Sequence, residues 1–144
     1  MTEQDTLTCY TDGASRGNPG PAAYAFMILS GDTVLAETSE YIGSATNNVA
    51  EYRGVIAALT AAAQHTRRTV HLYSDSELVI KQINGQYNVR KEHLAGLHRK
   101  VMDLARYFES VQFFTVPREN VFIQKVDSLC NLTLDRVSGN KQKR

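Results

Sequence analysis

The period of apolar and polar positions changes several times along the chain, and the changes mark out its elements. Leu7 to Gly13 is a β-prone run in which Leu7, Cys9 and Thr11 alternate with Thr8 and Tyr10, ending at Asp12-Gly13. It reads as a strand that delivers one carboxylate to its own end. The turn-rich segment Gly13 to Pro21 connects to a strand over Tyr24 to Leu29, Ser30-Gly31-Asp32 is a hairpin turn, and Val34 to Ile42 is the partner strand. Three strands with short links make an antiparallel meander. After a polar loop at Ser44 to Asn48, Val49, Tyr52, Val55, Ile56, Leu59, Ala62 and Ala63 fall at helical spacing. A short strand follows at Val70 to Tyr73, then a helix from Glu77 to Asn84 closed by Gly85. A longer helix carries Leu94, Leu97, Val101, Leu104, Ala105 and Phe108 on one face. Val111 to Val116 is the fifth strand, Pro117 to Asn120 breaks the pattern, and a last helix is predicted from about Gln124 to Val137.

This order predicts an α/β fold whose mixed five-stranded sheet, three antiparallel strands then two parallel, is flanked by helices. Strands separated by helices join through crossovers, which puts the fourth strand beside the first. Asp12 and Asp75 then stand at neighbouring strand ends, where open α/β sheets keep their ligands. Glu51, from the first helix, and Asp127, from the last, can reach the same place. Each acid also has a local explanation. Asp12 suits a turn before glycine, and Glu51 completes a capping box with Asn48 as N-cap. Ser74 or Asp75 suits the cap of the next helix, and Asp127 suits a helix N-terminus. Brought together, however, the four would repel and take up protons unless a cation neutralised them. A donor set of oxygens alone points to Mg²⁺ or Mn²⁺ rather than zinc. Two such ions about 4 Å apart suit an in-line phosphoryl displacement, so the inferred chemistry is phosphodiester hydrolysis.

Composition narrows the class. A chain of 144 residues fits one domain, 1–137, followed by a basic tail, 138–144, expected to be disordered. The net charge of +1 announces no nucleic-acid binder. Basic residues nevertheless gather at Arg67-Arg68, Arg90-Lys91, His98-Arg99-Lys100 and Lys141 to Arg144, an arrangement that suits a polyanion held beside bound cations. His93 and His98, five apart, share no helical face and are expected to be solvated. Cys9 and Cys130 form neither a metal spacing nor a disulfide framework. The longest apolar run, Ala22 to Leu29, is far short of the roughly 20 residues that span a bilayer, and residues 1–5 carry no leader pattern. A cytoplasmic monomer with no membrane contact is the expectation. The turn after Asp12 lacks the spacings of nucleotide phosphate loops, and no organic cofactor is expected.

Four stretches also carry a resemblance. Thr11-Asp12-Gly13-Ala14-Ser15-Arg16-Gly17-Asn18-Pro19-Gly20, Thr46-Asn47-Asn48-Val49-Ala50-Glu51-Tyr52, Ser74-Asp75-Ser76 and Asp127 follow the order of the type 1 ribonuclease H family, which this chain resembles over nearly its whole length. The resemblance implies an endonuclease that cuts the RNA strand of an RNA–DNA hybrid with two Mg²⁺ ions and leaves 5′-phosphate and 3′-hydroxyl ends. It makes Asp12, Glu51, Asp75 and Asp127 the metal ligands and catalytic residues, with Glu51 also touching a ribose 2′-hydroxyl. It makes Gly13, Ser15, Asn18, Thr46, Asn47 and Asn48 the substrate-binding residues, with Thr46 and Asn18 near a DNA phosphate. Some features depart from the family. Val126 and Ile123 stand where alanine and asparagine are usual, and Pro117 to Lys125 is longer by about two residues. The histidine that aids product release in bacterial members is missing, and Arg118 or Glu119 is the candidate replacement. The basic handle of those members is reduced to Gln86-Tyr87-Asn88-Val89-Arg90-Lys91. Two other readings fit the same fold: a non-catalytic binder of hybrid or double-stranded RNA, and another nuclease such as a resolvase or exonuclease.

Overall fold

The computed structural model describes residues 6–142; residues 1–5, and residues 143–144 of the tail expected to be disordered, lie outside the described residues. In chain order the elements are β1 (Thr6–Ser15), β2 (Gly20–Ser30), β3 (Thr33–Ala45), α1 (Asn47–Ala62), β4 (Thr69–Ser74), α2 (Glu77–Ile83), α3 (Glu92–Ala105), β5 (Ser110–Thr115) and α4 (Val121–Gln142). The strands form one sheet in the order β3-β2-β1-β4-β5. β1 with β2 and β2 with β3 are antiparallel, and β1 with β4 and β4 with β5 are parallel, as the alternation of strands and helices predicts.

The limits of several elements differ from those read in the sequence. β2 starts at Gly20 and β3 continues to Ala45, because Gly20 and Pro21 pair with Ala45 and Ser44. The residues at 44 and 45 are therefore strand, not loop: pairing outweighs local polarity. The last helix begins at Val121 because Asn120 caps it, its Oδ1 accepting from the N–H groups of Phe122 at 2.9 Å and Ile123 at 3.1 Å. The tail expected to be disordered from 138 is helical as far as Gln142. His98 is half-buried rather than solvated, with Nε2 3.1 Å from the Gln82 carbonyl oxygen.

β2 explains the long apolar run. Tyr24, Phe26 and Ile28 point into the larger core beneath α1 and α3, while Ala23, Ala25, Met27 and Leu29 point into the smaller core beneath α4. A strand buried on both faces must be apolar at every position. Among the described residues, no helix is long and apolar enough to cross a membrane.

One close approach decides where α1 sits. A Cβ built on Gly13 would lie 2.4 Å from the carbonyl carbon of Ala50 and 2.5 Å from the amide nitrogen of Glu51. The first turns of α1 therefore rest backbone to backbone on the end of β1, which only a residue without a side chain permits. Gly54 repeats the device one turn on, where a Cβ would stand 3.1 Å from the Asp12 carbonyl oxygen. Gly13→Ala is expected to destabilise the fold by about 2–3 kcal/mol in urea titrations, since the obstruction is backbone that must shift. Gly96→Ala is the control. That glycine is exposed within α3, and a Cβ added to it would meet nothing within 4 Å, so its replacement should stabilise by about 0.5–1 kcal/mol. Equal stability of Gly13→Ala and the parent protein would show that α1 does not rest on Gly13.

Candidate active site

The parallel register pairs Tyr10 of β1 with Tyr73 of β4. Asp12 lies two residues further along β1 and Asp75 one residue past the end of β4, so adjacent strands bring the two carboxylates together. The seat of α1 on Gly13 adds Glu51. One carboxylate oxygen from each of Asp12, Glu51 and Asp75 lies within 4.8 Å of the others. Asp12 is 5 % and Glu51 6 % exposed, and Asp75 is half-buried.

The local explanations for the acids do not hold. Asp12 lies inside a continuous strand, paired with Ala25, and forms no turn. The N-cap of α1 is Thr46, whose Oγ1 accepts from the Val49 N–H at 3.3 Å, so Asn48 is not the cap and Glu51 closes no capping box. Thr46 outcompetes Asn48 because β3 runs unbroken to Ala45 and leaves Thr46 at the junction with extended backbone. The N-cap position of α2 is Ser76, whose side chain makes no capping hydrogen bond, and Ser74 Oγ accepts from the Ser76 N–H at 3.0 Å, so neither Ser74 nor Asp75 is the cap. Asp127 lies six residues after the first residue of α4, beyond the turn in which a helix dipole is felt.

Electrostatics make the grouping costly. Burial pushes Asp12 up from 3.8 to about 8, reinforced by the charges of Asp75 and Asp127 and by a side-chain hydrogen bond with Asp127; the Gly13 amide opposes it. Glu51 is held well above the usual carboxylate range by burial, then by Asp12 and Asp75, against the Gly13 amide and Arg118. Burial also raises Asp75, and the Arg118 guanidinium, with Nε 3.7 Å from Oδ2, counters it. Of the two candidates to replace the histidine, Arg118 is thus at the acids. Among the described residues, Asp12 Oδ2 and Glu51 Oε1 are buried with no hydrogen-bond partner. Buried polar atoms are normally paired, so two orphaned carboxylate oxygens within one cluster of acids fit a divalent cation.

Asp127 is placed differently. It is exposed on α4 and does not join the group of three within 4.8 Å, yet its charge reaches Asp12 and Asp75. Its Oδ2 accepts from Asn131 Nδ2 at 3.4 Å. Cys130, on the buried side of the same helix, points its Sγ at the carbonyl oxygens of Asp12, 3.8 Å away, and Ala23, 3.5 Å away. The sequence pattern does not single out Cys130, Asn131 or Arg16 as parts of this neighbourhood. For Asn131 a signal exists, since it stands one helical turn after Asp127.

Several of the residues expected to bind substrate are tied to neighbouring segments. Gly13 lies beneath α1. Ser15 Oγ lies within donating reach of the carbonyl oxygens of Gly17 and, at 2.8 Å, Ala45, with one proton to give. Asn18 Oδ1 accepts from the Asn47 N–H at 3.0 Å, so the β1–β2 loop is joined to the start of α1. Asn18 and Asn47 are exposed, Thr46 and Asn48 half-buried. The reduced handle is anchored through a buried amide: Tyr52 Oη donates to Gln82 Oε1 at 2.7 Å, and Gln82 Nε2 donates to the Asn88 carbonyl at 3.3 Å.

Residues 10–133 match the protein family described as Reverse transcriptase-like. The chain is 42 % identical over 127 residues to the Ribonuclease HI of Halobacterium salinarum, covering 88 % of this chain and 63 % of that protein. It is 42 % identical over 127 residues to the Bifunctional protein Rv2228c of Mycobacterium tuberculosis, of which it spans 34 % of the length. Among solved structures, RNase H1 from Halobacterium salinarum superposes with a TM-score of 0.86 at 40 % identity, covering 91 % of this chain and 98 % of that one. LC11-RNase H1, solved in complex with RNA/DNA hybrid, superposes with a TM-score of 0.85 at 34 % identity, covering 91 % and 98 %. With this sheet order, three carboxylates converging at its centre and near-complete coverage of solved relatives, the chain belongs to the type 1 ribonuclease H family.

Proposed function

We propose that this protein is an endoribonuclease that hydrolyses the RNA strand of RNA–DNA hybrids, leaving 5′-phosphate and 3′-hydroxyl ends. The observation that carries the reading is the convergence of Asp12, Glu51 and Asp75 within 4.8 Å, with two buried carboxylate oxygens unpaired. A pure binder of nucleic acid gains nothing from negative charge concentrated where phosphates must approach.

Asp12, Glu51 and Asp75, with Asp127 from α4, would hold two Mg²⁺ ions, and Mn²⁺ could substitute. When bound, these ions supply water activation and stabilisation of the leaving oxygen in an in-line displacement. The chain itself positions the strands. Glu51, at the start of α1, offers a carboxylate to a ribose 2′-hydroxyl, the group that separates RNA from DNA. The backbone and side chains of Gly13, Ser15, Asn18, Thr46, Asn47 and Asn48 form the floor for the two backbones, with Asn18 and Thr46 toward a DNA phosphate. Arg118 supplies an exposed positive charge beside Asp75, suited to easing the 5′-phosphate product away. The handle segment 86–91 adds Arg90 and Lys91, so hybrid affinity should fall steeply with salt.

An RNA end-labelled and annealed to DNA, incubated with Mg²⁺, Mn²⁺ or chelator, tests the reading against RNA duplex and DNA duplex. Internal cleavage of the hybrid's RNA strand in either metal alone is expected. A gel shift without cleavage, cutting of duplex DNA, or shortening from one end would each contradict it. Asp12→Asn and Glu51→Gln should each lower the cleavage rate by on the order of a thousandfold while the circular dichroism spectrum stays unchanged. Full activity with only a lowered melting temperature would return Glu51 to a structural role.

The carboxylates also set a pH dependence. Asp12 binds its proton more tightly folded, at about 8, than at its ordinary 3.8. Its contribution to stability is therefore complete below about pH 4 and is lost as pH rises through about 8. In EDTA, the melting temperature of Asp12→Asn minus that of the parent should grow between about pH 5 and pH 9. At about pH 8, MgCl₂ should raise the parent's melting temperature and leave that of Asp12→Asn nearly unmoved. A difference that is flat with pH, or an equal rise in both proteins, would contradict this account.

A further inference from the structure

Asp127 is the exposed member of the proposed ligand set, held by side-chain contacts and not by the packing of its backbone. Asp12 sits in a paired strand, Glu51 is pinned by the seat of α1, and Asp75 follows the end of β4, but Asp127 projects from an exposed position on α4. It meets Asp12 through a side-chain hydrogen bond, and its charge reaches Asp12 and Asp75. On its own helix it accepts a hydrogen bond from Asn131 Nδ2, one turn further along, at 3.4 Å.

That contact depends on which way the Asn131 amide faces. Arg16, in the loop between β1 and β2, crosses to α4. Its Nη2 lies 2.7 Å from Asp135 Oδ1 and 3.4 Å from both the Asn131 carbonyl oxygen and Asn131 Oδ1. A guanidinium can only donate and a carboxylate can only accept. With Arg16 on one side and Asp127 on the other, only one amide orientation satisfies both: oxygen toward Arg16, NH₂ toward Asp127. The loop that carries Arg16 is itself fixed at its far end, where Asn18 Oδ1 accepts from the Asn47 N–H at the start of α1. One short loop thus touches both helices that bring acids to the strand ends.

We propose that Arg16 is a positioning residue which, by orienting the Asn131 amide, holds Asp127 in place for the divalent ions. The inference rests on the functional reading above. Asp135 keeps Arg16 in register, so Asp135 belongs to the same relay.

The Arg16 and Asp135 side chains are 41 % and 63 % exposed. Exposed ion pairs of this kind contribute little to folding, so the relay matters mainly elsewhere. Its loss should appear in ion binding, where partners that orient a metal-binding side chain typically weigh about tenfold or more.

The test uses the full chain as Arg16→Ala, Asn131→Ala and the double variant. Melting temperatures are titrated with MgCl₂ and MnCl₂ alone, and hybrid cleavage is measured against both metal and hybrid concentration. In EDTA all variants should melt close to the parent. Arg16→Ala and Asn131→Ala should each shift the metal concentration for the half-maximal rise in melting temperature, and for half-maximal cleavage, upward by about tenfold. KM for the hybrid should change less than about twofold, and the double variant should be no worse than the worse single, because both residues act through one contact. Unchanged metal titrations, additive losses in the double variant, or a raised KM for hybrid at unchanged metal dependence would overturn the inference; the last would make Arg16 a direct substrate contact. A parent protein that neither cleaves hybrid nor responds to either metal would instead remove the functional reading itself.

Discussion

The backbone of Ala50 and Glu51 rests against Gly13, and the arrangement of this molecule's chemistry follows from that contact. Any side chain at Gly13 would push α1 off the end of β1, and Glu51 would no longer meet Asp12. The parallel pairing of β1 with β4 brings Asp75 by a separate route. Two independent features of the fold, a helix seated on glycine and a crossover between neighbouring strands, therefore converge on one point. The small residues Ala23 and Ala25 on the other face let α4 lie close to the sheet, with Cys130 against the backbone of Asp12.

Concentrating acids beneath a helix works against folding. Burial and mutual repulsion raise Asp12, Glu51 and Asp75 together, and the counter-charge in reach, Arg118, is largely exposed. A fold under no demand but stability would place amides or apolar groups there. The unpaired oxygens of Asp12 and Glu51 fit the small, oxygen-preferring cation proposed for this site. Sites that break the usual rules of polar burial in this way are where function is expected to reside.

The sheet was legible because its signals are periodic: alternation in β1, the two-sided apolar run of β2, and helical spacing from Val49 onward. The convergence of Asp12, Glu51 and Asp75 was legible once strand four was placed beside strand one. Boundaries were not, and the reasons are physical. Ser44 and Ala45 are strand because their partners in β2 hold them there. Thr46 rather than Asn48 caps α1 because the end of β3 dictates where the helix can start. His98 meets the carbonyl of Gln82 through a packing of α3 on α2 that no local pattern records. Arg16 looked like one more polar residue in a turn, since its partners Asn131 and Asp135 lie more than a hundred residues away. Long-range polar contacts of single residues leave no period to read.

The loops around the acids add a layer that neither fold nor acids require. Asn18 ties the β1–β2 loop to the start of α1, and Gln82 ties the segment 86–91 to Tyr52 beside Glu51. Both loops are thus tied to α1, the helix that carries Glu51. The central claim is that Asp12, Glu51 and Asp75 together form a divalent-ion site. Anomalous diffraction from a crystal soaked in MnCl₂ tests it most directly. The account predicts a strong peak within coordination distance of all three carboxylates, and crystals whose Mn²⁺ lies elsewhere, or whose three side chains turn apart around no ion, would contradict it.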